Sequence, residues 1–320
     1  MRKLSITAGA LAAAAALAVA AIPSQATLPG RNGRILYENT VGKRVQLFSI
    51  RPDGTGRRQL THFTDGDAVN SAWSPDARRV AFERDFADHA GIFTMNADGS
   101  DVRSLTPTGF QGMPAYSPDG GTIVYDRTLG EDRKPDFDDA LWLMDTAGGN
   151  QRRLTARQVP GHQKIEGQPE FSPDGLKVAF TRTESDTRSA VFVINVDGTG
   201  ERQVTPWALG ANMPHWSPDG RRIAFNSFPD AHPKGVSSNV YVVDANGTGL
   251  RPITKLRGGK RNAGMGAWSP DGRRIAFPQW VVEDDGPHFS IYTMNANGTG
   301  IRPLAHTPTP GHVIDWARRP

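Results

Sequence analysis

Eight histidines and 33 carboxylates are spread along the 320-residue chain, which contains no cysteine. Three of the histidines, His162, His215 and His312, fall just ahead of or within runs that end in an aromatic residue. Imidazole nitrogens with carboxylates are a ligand set for a divalent metal. If the three converged near the axis, they could hold such a metal. The lack of cysteine excludes a thiol nucleophile, a CxxC zinc site, a disulfide scaffold and a lipidated N-terminal Cys. No G-x-S-x-G elbow is present, which argues against a serine peptidase.

A wider set of polar residues shares the position of these histidines. Asn70, Gln111, His162, Lys164, Glu166, Asn212, His215, Lys260, Arg261, His312 and Asp315 all stand in or just before an aromatic-ending run. We expect them to face one ligand-binding surface, with mixed charge that suits a polar or peptide ligand. Further carboxylates gather in the same variable stretches: Asp65 and Asp67, Asp85 and Asp88, Glu170, and the long segment Arg127 to Ala140.

What positions these residues is a repeat. An aromatic followed by Ser-Pro-Asp recurs at Trp73, Tyr116, Phe171, Trp216 and Trp268, with a degenerate copy at Trp316. Successive aromatics are 43, 55, 45, 52 and 48 residues apart. A second signature keeps step with it: Asp53-Gly54-Thr55-Gly56, Asp98-Gly99-Ser100, Ala147-Gly148-Gly149, Asp197-Gly198-Thr199-Gly200, Asn246-Gly247-Thr248-Gly249 and Asn297-Gly298-Thr299-Gly300. Asp-Gly and Asn-Gly between alternating apolar runs mark hairpin turns, because Gly and Asn tolerate positive φ. Runs such as Arg222-Ile223-Ala224-Phe225 after each Ser-Pro-Asp alternate with the period of a strand.

Four short antiparallel strands repeated six times describe an all-β, six-bladed β-propeller. The first repeat lacks its aromatic strand, and the C-terminal His312-Val313-Ile314-Asp315-Trp316 supplies it. The ring therefore closes by pairing the C-terminal strand beside Ile35-Leu36-Tyr37, which leaves no open edge at the seam. Because the Ser-Pro-Asp and Asp/Asn-Gly motifs recur in nearly every unit, their carboxylates are read as turn residues and not as catalytic or calcium-binding groups.

Gly 35 and Pro 24 are the punctuation of those turns. The formal charge of +4 has its signs interspersed, so no continuous basic face for a nucleic acid is expected. Arg2 and Lys3, the uncharged Ala-rich run Leu4 to Ile22, and Ser24-Gln25-Ala26 have the plan of an export signal. The expected organisation is a cleaved signal peptide at 1–26, a short linker at 27–32 and the propeller at 33–320. The mature protein is then periplasmic or secreted, is not inserted in the membrane, and is a monomer.

The aromatic-Ser-Pro-Asp-Gly and Asp-Gly-Thr-Gly motifs resemble those of the TolB-type, WD40-like (PD40) repeat family of six-bladed propellers. The resemblance covers about nine tenths of the chain. It implies the propeller fold, without the α/β domain that precedes the propeller in TolB. The function expected is that of a non-enzymatic binding or scaffold protein, requiring no cofactor, that engages a protein or cell-envelope component on the funnel face. The alternative implied by related propellers is a metal-dependent polysaccharide (uronate) lyase, with His162, His215 and His312 as candidate ligands. Capture of a small ligand without catalysis is a third possibility.

Overall fold

The computed structural model describes residues 29–130, 138–156, 164–185, 188–227, 236–264, 266–283, 286–307 and 313–319. The expected signal peptide lies outside the described residues, as do His162, His232 and His312.

The chain folds as an all-β propeller of antiparallel sheets. Three sheets are four-stranded. One runs Val313–Arg318, Asn32–Val41, Arg44–Ile50, Arg58–Gln59; the second Ile165–Phe171, Lys177–Ser185, Arg188–Asn195, Arg202–Gln203; the third Ala211–Trp216, Arg222–Ser227, Asn239–Asp244, Arg251–Pro252. An eight-stranded sheet consists of two four-strand runs, Asp67–Trp73 through Arg103–Ser104 and Phe110–Tyr116 through Arg152–Arg153. These runs are joined by one parallel bridge between Ala90 and Phe110. In the five-stranded sheet the first strand is broken into Arg261–Ala263 and Ala267–Trp268, both paired with Arg274–Glu283.

The first strands touch one another in a closed circuit. Val313–Arg318 meets Asp67–Trp73, which meets Phe110–Tyr116, then Ile165–Phe171, Ala211–Trp216, Ala267–Trp268 and Val313–Arg318 again. They therefore surround the axis. The expected seam is present: Ile35 pairs with Trp316 and Leu36 with Asp315.

The turn chemistry accounts for the recurring motifs. In Trp216-Ser217-Pro218-Asp219 the Ser217 hydroxyl donates to Asp219 Oδ1 at 2.6 Å, and the Arg221 N–H donates to the same oxygen at 3.1 Å. Ser74, Ser117, Ser172 and Ser269 make the corresponding bond to their own Asp at 2.5–2.6 Å. The Asp/Asn-Gly glycines have two reasons to be glycine. Gly298 sits at φ +86°, and a Cβ there would lie 2.0 Å from the Ile253 carbonyl oxygen of the neighbouring sheet, so a side chain meets both strain and a backbone wall.

Two details were not anticipated. The strand closing each unit is only two residues long in five cases, and the Thr that follows it takes over the ladder. Thr61, Thr106, Thr155, Thr205 and Thr254 each offer a hydroxyl to a backbone N–H of the third strand, at 2.8–3.1 Å. The segment Arg127 to Ala140, expected as a long loop, is partly strand: Leu129 pairs with Asp138 and Arg127 with Ala140.

The core lies between adjacent sheets. Trp216 and Phe225 pack with Val191, Val193 and Val204 of the preceding sheet, and Trp268 and Phe277 with Val240, Val242 and Ile253. Burial of such a side chain contributes about 1.5–3 kcal/mol. Among the described residues, no helix is long and apolar enough to cross a membrane.

Candidate functional site

The first strands carry two kinds of polar position. The residue before the aromatic is Ala72, Ala115, Glu170, His215, Ala267 or Asp315 as one goes round. Glu170 Oε2 accepts the Trp216 N–H at 2.8 Å, and Asp315 Oδ2 accepts the Trp73 N–H at 2.7 Å, each reaching the next sheet. The two acids stand on opposite sides of the circuit, three strands apart in either direction. Burial pushes the Asp315 carboxyl up to about 6, against the pull of the Trp73 and Trp316 N–H donors. Burial pushes Glu170 well above the carboxylate range, and the Asp315 charge adds to that push. His215 is buried, with Nδ1 3.5 Å from Glu170 Oε1, and burial lowers its imidazole to about 4. It is neutral at pH 7.

The second polar position is a bulge. Asn70, Met113, Gln168 and Met213 occupy equivalent places in four first strands at φ 49–55°, where the register shifts by a residue. Side chains from the second strand of the preceding four-strand unit meet three of these bulges. Glu38 Oε1 accepts the Asn70 N–H at 2.7 Å, Glu83 Oε2 accepts the Met113 N–H at 3.1 Å, and the Thr181 hydroxyl accepts the Met213 N–H at 3.0 Å. Asp126 holds the same second-strand place, but its buried Oδ1 has no hydrogen-bond partner among the described residues. The Gln168 N–H points instead at Met113 Sδ, 3.2 Å away.

Burial pushes Glu38 up to about 8; the Asn70 N–H opposes the shift, while Glu83 and Asp67 add to it. Burial also raises Glu83, with Asp85 adding to the shift. Asp126 is raised well above the usual range, first by burial and then by Asp139 and Glu83. Burial brings Asp139 to about 6.

The expected site residues that can be described all lie on the first strands or directly before them. Asn70 is engaged twice, through its N–H and through a 2.9 Å bond from Nδ2 to Glu83 Oε2. Gln111 is buried. Glu166 is buried in an ion pair with Arg182, whose guanidinium also bonds Glu201. Asn212 and Lys164 are half-buried, and Asp315 is engaged as described. Lys260 and Arg261 are exposed at the outer end of the broken first strand. Glu38, Glu83 and Asp126 were missed. Their signal was a polar residue directly after the second-strand aromatic, in Tyr37-Glu38, Phe82-Glu83 and Tyr125-Asp126.

A metal would need three or more converging ligands, and among the described residues no His, Asp and Glu group provides them. His215 is the one metal candidate within the described residues, and its Nδ1 faces Glu170 and the Trp216 carbonyl.

Residues 155–309 match the family described as the TolB beta propeller domain, PD40. An uncharacterized protein of Agrobacterium fabrum is 28% identical over 259 residues, 78% of this chain and 82% of the relative. TolB from Acinetobacter baumannii superposes with a TM-score of 0.70 at 19% identity, covering 90% of this chain and 67% of that one. An oligogalacturonate lyase in complex with manganese superposes at 0.58 and 16% identity, covering 85% and 74%. At these identities the likeness to solved structures is one of fold.

Proposed function

We propose that this TolB-like PD40 propeller is an exported, non-enzymatic binding protein whose loop-bearing end engages a protein or cell-envelope component. The observation that carries the reading is a division of labour among the polar residues of the first strands. Asn70, Glu166 and Asp315 hold strands and sheets together, as do Glu38 and Glu83 behind them. The cations Lys260 and Arg261 are left exposed at the lip. Variable loops on a uniform scaffold are where binding usually resides.

The reading takes the propeller as six-bladed. The eight-stranded sheet is then two blades linked at the Ala90–Phe110 bridge, and the five-stranded sheet is one blade with a broken first strand. It takes residues 1–26 as a cleaved export signal, 27–32 as the linker and 33–320 as the propeller. The mature protein acts outside the cytoplasm as a monomer, without a cofactor or nucleic acid.

The test is capture from envelope extract by the immobilised mature protein, beside a parallel assay of turnover on oligogalacturonate. A discrete component retained by the folded protein and lost on heat-unfolded protein is the expected result. Retention of nothing, or turnover of the uronate polymer, contradicts the proposal.

A further inference from the structure

The residues just ahead of the first strand run over the end of the propeller that carries the Ser-Pro-Asp turns. The Arg319 N–H donates to the Arg31 carbonyl at 2.7 Å. Asn32 exchanges two bonds with Asp271: Nδ2 donates to Oδ2 at 3.0 Å, and the Asp271 N–H donates to Asn32 Oδ1 at 3.2 Å. Among the described residues, Asp271 is the one Ser-Pro-Asp aspartate that bonds outside its own turn. The Gly30 N–H then reaches the Pro270 carbonyl at 3.1 Å. Pro29 lines a cavity with Pro173 and Pro218, from the turns that follow Phe171 and Trp216. Two consecutive residues therefore meet the turns of three first strands. Because the first strands surround the axis, their turns ring its mouth at this end.

The cavity has a volume of about 350 Å³, within the range of clefts that hold a ligand. Pro29, Pro173, Trp216, Pro218 and Ala245 form its apolar wall. The charged groups beside them are committed to the scaffold. Lys177 Nζ donates to Asn195 Oδ1 at 3.0 Å, and the Arg202 guanidinium donates to the Ala245 carbonyl. Asp174 and Asp219 each accept their own Ser hydroxyl and a turn N–H through Oδ1. What the cavity offers an occupant is therefore apolar contact.

We propose that Thr27 and Leu28 are the occupant, with Leu28 seated on the apolar wall, and that they shut the turn end of the axis. A partner then approaches the axis from the loop-bearing end alone. The inference rests on the export reading above, in which Thr27 becomes the first residue. Thr27 and Leu28 lie outside the described residues, but chain geometry limits where they go. Consecutive Cα atoms are about 3.8 Å apart, so Leu28 starts at the wall that Pro29 forms. A residue ahead of proline is restricted to extended backbone, which leaves Leu28 little freedom to lose on docking. Burying its side chain contributes about 1.5–3 kcal/mol.

The test uses the full chain, recovered after export, with its first residue read by mass spectrometry. The chain contains no cysteine, so Leu28→Cys and Val282→Cys each give a single thiol for a water-soluble maleimide. Val282 is 45% exposed on the loop-bearing end and serves as the open reference. In the folded protein Leu28→Cys reacts about tenfold or more slowly than Val282→Cys, and in urea the two rates are equal. A diazirine analogue of leucine in place of Leu28 gives, on irradiation, adducts in segments 172–177 or 216–220. Equal labelling rates in the folded protein overturn the proposal, as do adducts confined to other segments. If Thr27 is first and the thiol at 28 is unprotected, this inference fails and the export reading stands. A first residue other than Thr27 removes the export reading itself, and the inference with it.

Discussion

The Glu38 carboxylate accepts the backbone N–H of Asn70 at 2.7 Å, fastening the second strand of one sheet to the bulge in the first strand of the next. Glu83 repeats the contact with Met113 one unit further round, and Thr181 repeats it with Met213. The bulge turns an N–H away from its own ladder, and the preceding four-strand unit satisfies it. Buried acids near the axis are therefore part of the ring's construction.

That construction makes stability depend on pH in a stated direction. Glu38 is raised from 4.5 to about 8 and Asp139 and Asp315 from 3.8 to about 6. The folded state thus favours their protonated forms, and this stabilisation is complete below the unfolded values and is lost as pH rises towards 8. The melting temperature should fall between pH 5 and pH 8. Glu38→Gln keeps the acceptor and removes the titration, so it should flatten the upper part of this profile by the order of 2–4 kcal/mol. Melting curves across the range check this; an unchanged slope in Glu38→Gln contradicts it.

The Ser-Pro-Asp aspartates Asp76, Asp119, Asp219 and Asp271 act with the opposite sign. Asp119 is held below its usual range by the Ser117 hydroxyl and the Gly121 N–H, so its contribution is present above pH 4 and lost on further acidification. Asp219→Ala should cost about 1–2 kcal/mol and leave ligand binding unchanged. Chemical denaturation alongside the binding assay separates the two effects.

Glycine requirements should differ between the two glycines of the Asp/Asn-Gly-Thr-Gly turn, Gly298 standing in the first position and Gly200 in the second. Gly298→Ala drives a Cβ to 2.0 Å from the Ile253 carbonyl oxygen at φ +86°, whereas Gly200→Ala at φ +66° meets the Asn195 side-chain nitrogen first, at 2.6 Å. The first change forces backbone apart and should cost about 3 kcal/mol or more; the second should cost about 1 kcal/mol. Equal losses in denaturation midpoint would contradict this account of the turn.

Arg182 lies between Glu166 and Glu201 and is itself buried. Arg182→Ala should destabilise by about 3–5 kcal/mol because Glu166 is left charged and unpaired, whereas Arg182→Met with Glu166→Met should recover most of the loss. A double-mutant cycle measured by denaturation reads the coupling directly.

The architecture was legible because its devices recur. Trp216-Ser217-Pro218-Asp219 and its relatives marked the turns, and Trp316 without a preceding partner strand located the seam at Ile35. The interior of the site was less legible. A bulge such as that at Met113 has no residue signature of its own, since Asn70, Met113, Gln168 and Met213 share a conformation and not a side-chain type. The role of Glu166 depended on Arg182, 16 residues away, a pairing that spacing alone does not disclose. Lys260 and Arg261 stood out as a basic pair. Their setting beside Trp280 required the cross-strand register of Asn262 with Trp280.

The central claim is that binding uses the loop-bearing end. It is tested most directly by placing a photo-crosslinking residue at Val282 on that end, or at Leu250 in the turns of the opposite end, both exposed, and irradiating the mature protein in envelope extract. A discrete adduct from Val282 and none from Leu250 is the predicted result. An adduct from Leu250 alone, or equal adducts from both positions, would contradict it.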